Sequence, residues 1–119
     1  MWEIEFTDEF GAWWNLLSEY EQESVAASVE LLRQLGPNLP RPHADVLKGS
    51  EHSHMKELRT QHQGRPIRTL FAFDPRRCAI LLIGGDKTGD DRFYEKHVRL
   101  ADDLYDTHLD ELGKEGLIG

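Results

Sequence analysis

The chain has one cysteine, Cys78, in 119 residues, so no internal disulfide can staple it and a reducing, cytoplasmic setting suits it. It has no long apolar run. The longest is CAILLI (residues 78–83), the size of a strand and far short of the ~20 residues of a membrane span. The N-terminus MWEIEFTDEF is acidic and lacks the basic lead of a secretory signal. Internal repeats and low-complexity tracts are missing. So is a metal-ligand pattern: His43, His52 and His54 are spaced H-x8-H-x-H, which matches no standard site, and no cysteine joins them. Excess positive charge is missing too, since the net charge is −8 and the pI about 5.1, which argues against a general nucleic-acid coat protein.

The charge that is present is unevenly placed. Residues 1–40 hold eight acids and one base, Arg33; residues 41–99 hold twelve bases and eight acids; residues 100–119 hold six acids and one base, Lys114. Within the middle segment, KELRTQHQGRPIRTLFAF (56–73) carries Lys56, Arg59, Arg65 and Arg68 against one acid, Glu57. A local anion site flanked by acidic ends fits this pattern.

The length fits one domain, residues 1–119. Trp2, Ile4 and Phe6 alternate with Glu3 and Glu5, the period of a half-buried strand. Phe10, Trp13, Trp14 and Leu17 recur at helical spacing, and either tryptophan is a candidate partner contact. Ser18 and Glu21 form a capping box, which starts a second helix that Gly36-Pro37 stops. Residues 1–35 thus read as a strand plus a helical hairpin. Residues 36–54 read as a linker with Pro37, Pro40 and Pro42. Residues 55–85 read as a three-strand meander: Met55–His62, a turn at Gln63-Gly64 with or without Arg65, Ile67–Phe73, then Cys78–Ile83 as the central strand, ended by Gly84-Gly85. Residues 90–112 read as a last helix, capped by Asp90 and stopped by Gly113. The order β-α-α-β-β-β-α makes an α+β fold, a small antiparallel-rich sheet with its helices on one face.

The runs LPRPHADVLKGSEHSHMKELR, GRPIRTLFAF and AILLIGGDKTG resemble the RelE/HigB family of type II toxins, in its phage-derived HigB-like branch. The resemblance spans about residues 1–105. It is carried by Leu47-Lys48-Gly49, Glu57-Leu58-Arg59, Gly64 through Arg68, and Leu81-Leu82 through Lys87. It implies a RelE-like fold and a ribosome-dependent endoribonuclease that cuts mRNA without metal or cofactor. It also implies neutralisation by a cognate antitoxin, often a helix-turn-helix DNA-binding protein. A related branch poisons gyrase. The chain departs from the family in its acidity and in having one loop lysine, Lys87 beside Asp86, where a Lys-Lys pair is usual. Both departures suit the alternative of a RelE-fold binding module that pairs with an antitoxin and cleaves nothing.

Attack of a 2′-hydroxyl on its own phosphate needs a base, cations for the added negative charge, and a proton for the leaving oxygen. Arginine stays charged and clamps phosphate well. Arg59, Arg68 and Lys87 are therefore expected to stabilise the phosphate, with Arg68 a diagonal neighbour of Arg59 across a hairpin that sets 59 opposite 70. The plain alternative is that these arginines pair with Glu57 or an acid of the last helix. His62 is the candidate base, and His54 a second histidine beside the basic strand. Lys48, Lys56, Arg65 and His54 are expected to contact RNA. His97 and Tyr94 sit at core spacing on the last helix, though Tyr94 could donate a proton or stack on a base.

Overall fold

The computed structural model describes all 119 residues. The chain order is β1 (Ile4–Phe6), α1 (Asp8–Asn15), α2 (Glu19–Leu35), β2 (Ala44–Val46), β3 (Lys56–His62), β4 (Arg65–Phe73), β5 (Ala79–Asp86) and α3 (Phe93–Lys114), with one 3-10 turn at Gly36–Asn38. All five strands join one sheet in the order β1-β5-β4-β3-β2. Only β1 is parallel, to β5; the other pairings are antiparallel. This is the expected α+β fold with an N-terminal helical hairpin. No helix is long and apolar enough to cross a membrane.

Local chemistry sets the helix ends. Thr7 caps α1: its Oγ1 accepts from the Phe10 N–H at 3.0 Å and donates to the Leu82 carbonyl at 2.6 Å, which ties the helix start to the sheet. The Ser18–Glu21 capping box forms, with the Glu21 N–H donating to Ser18 Oγ and the Ser18 N–H donating to the Glu21 carboxylate. Gly36 then turns the chain at φ 55°, and a Cβ there would lie 2.3 Å from the Trp2 indole nitrogen.

The helices do not share one face as the element order suggested. Leu70, Ala72, Ile80 and Leu82 pack with Phe93, Val98, Ala101 and Tyr105 of α3. Leu58, Phe71, Ala79 and Leu81 pack with Phe10 and Leu32 of α1 and α2 on the opposite face. Both faces of β4 and β5 are apolar, so both need covering. A bulge at Leu82 adjusts the second: Leu70 opposes Ile83 and Phe71 opposes Leu81, leaving Leu82 as the extra residue. Beyond it, Gly84 meets Trp13 of α1 and Gly85 meets Phe93 and His97 of α3, so each glycine lets a ring lie flat on the sheet.

Other expectations need correction. The middle strand is β4, and β5 continues through Gly84-Gly85 to Asp86. The segment read as a linker contains β2, which pairs with residues 56–58 of β3. Gly113 does not stop α3; Gly116, at φ 73°, does, with the Leu117 N–H returning to the Leu112 carbonyl at 2.9 Å. Asp90 lies before the helix, its carboxylate accepting from the Arg92 N–H, and Arg92 holds the cap position without a side-chain bond.

Candidate active site

The β3–β4 turn decides which side chains meet. Gln63 and Gly64 both take positive φ, 50° and 78°, as a two-residue primed turn requires. His62 then opposes Arg65, and Arg59 directly opposes Arg68, rather than residue 70 as the sequence suggested. The Arg59 N–H points outward to the His43 carbonyl at 2.8 Å, so Arg59 and Arg68 form a non-hydrogen-bonded pair, the kind in which facing side chains come closest. Two like charges directly opposite repel.

Glu57 stands between them. It is two residues before Arg59, hence on the same face, and only 4% exposed. Its Oε1 lies 3.1 Å from Arg68 Nε, close enough for charge attraction though outside hydrogen-bonding geometry. Its Oε2 lies 3.3 Å from Arg59 Nη2, and Asp45 of β2 lies 3.4 Å from the same nitrogen. Arg68 Nη1 also donates to the Ile67 carbonyl at 3.1 Å.

The first turn of α3 completes the cluster. The Tyr94 hydroxyl donates to Glu57 Oε1 at 2.6 Å. Lys87 donates from Nζ to the same hydroxyl at 3.4 Å, and its ammonium lies 5.2 Å from the centre of the Tyr94 ring. Burial first, then the hydrogen bond to Glu57, pushes the Tyr94 phenol above the ordinary tyrosine range, with Arg68 opposing in part. Tyr94 is thus a neutral O–H donor at physiological pH.

Three of the expected cations, Arg59, Arg68 and Lys87, therefore converge on one carboxylate and one phenol. Lys48 lines a groove of about 340 Å³ beside Tyr94, with Glu95 and Arg99 on its walls. The remaining candidates lie elsewhere. His62 is three residues from Arg59, an odd step along a strand, so it faces α2; it is buried, and its Nδ1 is 2.7 Å from Ser24 Oγ. Arg65 bridges Glu21 at 2.7 Å and Asp86 at 3.1 Å. Lys56 points to the Pro37 carbonyl at 3.5 Å. His54 lies 3.2 Å from the Tyr105 hydroxyl, eleven residues along α3 from Tyr94, or about 16 Å. Sequence reasoning undervalued Glu57 and Tyr94. Strand parity could have marked Glu57, but nothing short of the folded 87–92 loop joins Lys87 to Tyr94.

The comparisons with known proteins agree with this fold. Residues 12–106 match the family model described as "Phage derived protein Gp49-like (DUF891)". Two Mycobacterium tuberculosis proteins carrying toxin names are similar. HigB2 is 42% identical over 86% of this chain and HigB3 is 45% identical over 76%. The chain spans about half the length of HigB2, 52%, and 78% of HigB3. The isolated Escherichia coli RelE toxin superposes with a TM-score of 0.56 at 11% identity, over 84% of this chain and 99% of RelE. A chain of the E. coli RelBE toxin–antitoxin complex gives 0.53 at 10% identity, over 71% of this chain and 95% of its own. At such identities the likeness is one of fold. The chain belongs to the phage-derived Gp49-like family, within the RelE/HigB-like toxin–antitoxin superfamily.

Proposed function

We propose that the chain is the toxin of a type II toxin–antitoxin system, a ribosome-dependent mRNA endoribonuclease in the HigB-like branch. Its partners in this reading are mRNA on the ribosome and a cognate antitoxin, a helix-turn-helix DNA-binding protein. The observation that carries the reading is the convergence of Arg59, Arg68 and Lys87 on the Glu57–Tyr94 pair.

The cluster supplies each group that metal-free strand cleavage needs. Glu57 takes the proton from the 2′-hydroxyl, and the 2′-oxygen attacks the adjacent phosphorus. The bond to the 5′-oxygen breaks, and that oxygen receives the Tyr94 proton. The products are a 2′,3′-cyclic phosphate and a 5′-hydroxyl. Arg59 and Lys87, the more accessible cations, hold the phosphate and offset the charge added in the transition state. Arg68, at 9% exposure, is a positioning residue that acts by orienting Glu57. This assignment gives proton removal to Glu57 in place of His62, which faces the other side of the sheet.

A second reading has one observation in its favour. Glu57 already neutralises both arginines, as it would in a binding module with no need to cleave. Inducible expression in a bacterial host, with the 5′ ends of translated messages mapped, separates the two. Cleavage of translated messages, reduced at least about a hundredfold by Tyr94→Phe or Arg59→Ala, is expected. Growth arrest with intact messages would favour the binding module, or a gyrase poison if DNA damage accompanies it.

A further inference from the structure

The sheet face opposite the cation cluster carries an apolar groove that the chain itself leaves open. Its floor is Ile4, Phe10 and Leu81, and its walls are Trp14 of α1 with Ala26 and Val29 of α2, enclosing about 540 Å³. Phe6 stands at its mouth, 65% exposed. Trp14 and Ala26 also border a second depression lined by Glu19, Gln22 and Glu23, so the trough runs along α2. From Glu19 to Arg33 that is about 21 Å, or four helical turns. Polar groups do not converge inside it, as they would for a small metabolite. They sit on its rim.

The rim is acidic. Glu30 is paired with Arg33 at 3.3 Å, but Glu19 and Glu23 are exposed and have no cationic partner. Residues 1–35 hold eight acids and one base, so a second copy of this chain would bring the same negative charge to the same place. Repulsion disfavours self-association here.

We propose that this trough docks an amphipathic helix of a partner protein, one whose apolar row inserts along Trp14, Ala26 and Val29 and whose flanking lysines or arginines meet Glu19 and Glu23. An apolar groove with charged flanks is the standard receptor for such a helix. Assigning that helix to the antitoxin rests on the function proposed above; the docking chemistry does not. The site lies across the sheet from Arg59, Arg68 and Lys87, so an occupied trough leaves the cation cluster uncovered.

The test uses the full chain and two labelled synthetic peptides of about four helical turns. Both carry leucine at i, i+3, i+4 and i+7; one has lysine on the flanks and the other glutamate. Fluorescence anisotropy is expected to show saturable binding of the lysine peptide, weakening as salt rises, and at least tenfold weaker binding of the glutamate peptide. Ala26→Trp fills the trough from an exposed position and should weaken the lysine peptide at least tenfold. Glu19→Lys with Glu23→Lys should reverse the preference. No binding of the lysine peptide, equal affinity for the two peptides, or an indifferent Ala26→Trp protein would each overturn the proposal. Because the assay contains no RNA or ribosome, its failure is separate from failure of the nuclease reading. A chain that binds the lysine peptide and leaves messages intact keeps the trough and loses the nuclease.

Discussion

Replacing Glu57 with glutamine removes one negative charge while keeping the side chain's shape. The Tyr94 hydroxyl still has an oxygen to donate to, and the packing is unchanged. What disappears is the anion that stands 3.1 Å from Arg68 and 3.3 Å from Arg59, two cations set directly across from one another. Breaking a buried ion pair by removing one partner costs about 3–5 kcal/mol. The lower end applies here, because the Arg59 side chain is 29% exposed and Asp45 remains 3.4 Å from it. A loss of about 3 kcal/mol, at about 4 °C per kcal/mol for a domain of this size, lowers Tm by about 12 °C. Stability of small domains is about 5–15 kcal/mol, so the variant remains folded. Urea unfolding of wild type, Glu57→Gln, Arg68→Met and the double variant measures the coupling. The double variant should lose markedly less than the sum of the singles, since removing Arg68 also removes the charge left unpaired. A Glu57→Gln protein within about 0.5 kcal/mol of wild type, or strict additivity, would show that the arginines do not depend on this carboxylate.

Gly84→Ala should cost about 1–3 kcal/mol, because the new methyl would lie 2.3 Å from Cε3 and Cζ3 of Trp13, whose ring is held against Phe10; equilibrium unfolding reads the loss. Ser18→Ala removes half the capping box and should cost about 1 kcal/mol, measured the same way. Asp74 gives a pH signature. Burial raises its pKa, but hydrogen bonds from His108, Arg76 and the Cys78 N–H outweigh that and hold it below the ordinary carboxylate value. Its stabilisation is therefore full above the unfolded pKa, about 3.9, and is lost as pH falls through the lower folded pKa. Urea midpoints should show wild type well ahead of Asp74→Asn at pH 6 and the gap closing below about pH 4; a gap constant with pH would contradict the assignment.

The elements with self-contained chemistry were legible in the sequence. The Ser18-x-x-Glu21 box and the turn after β3 each need only neighbours in the chain; the box formed as read, and the turn formed in place but at Gln63-Gly64, not about Gly64-Arg65. Strand β2 was not legible, because three residues among prolines carry no period of their own and pair only through β3. The two-sided placement of the helices was half-written in LFAF and AILLI, whose unbroken apolarity demands cover on both faces, but no residue of these runs says which helix covers which face. At the site, a two-residue shift of register separated the expected diagonal of Arg59 and Arg68 from the direct opposition found. Parity along β3 separates His62 from the arginines and joins Glu57 to them. The meeting of Lys87 with Tyr94 is a property of a loop, and no periodicity encodes it.

The first strand hydrogen-bonds to the last. Ile4 sits against Ala79 and Thr7 reaches Leu82, partners 75 residues apart. At ~5–20 residues per second of synthesis, the beginning of the chain waits about 4 to 15 s for its mate to be made. Until then α1 has no strand to lie on, although α2 can already meet β3, and Phe10 and Trp13 stay wet. A nascent chain cut short before β5 would also lack Lys87 and Tyr94, so a truncated product is both unfinished as a fold and empty of the cluster's phenol and loop cation.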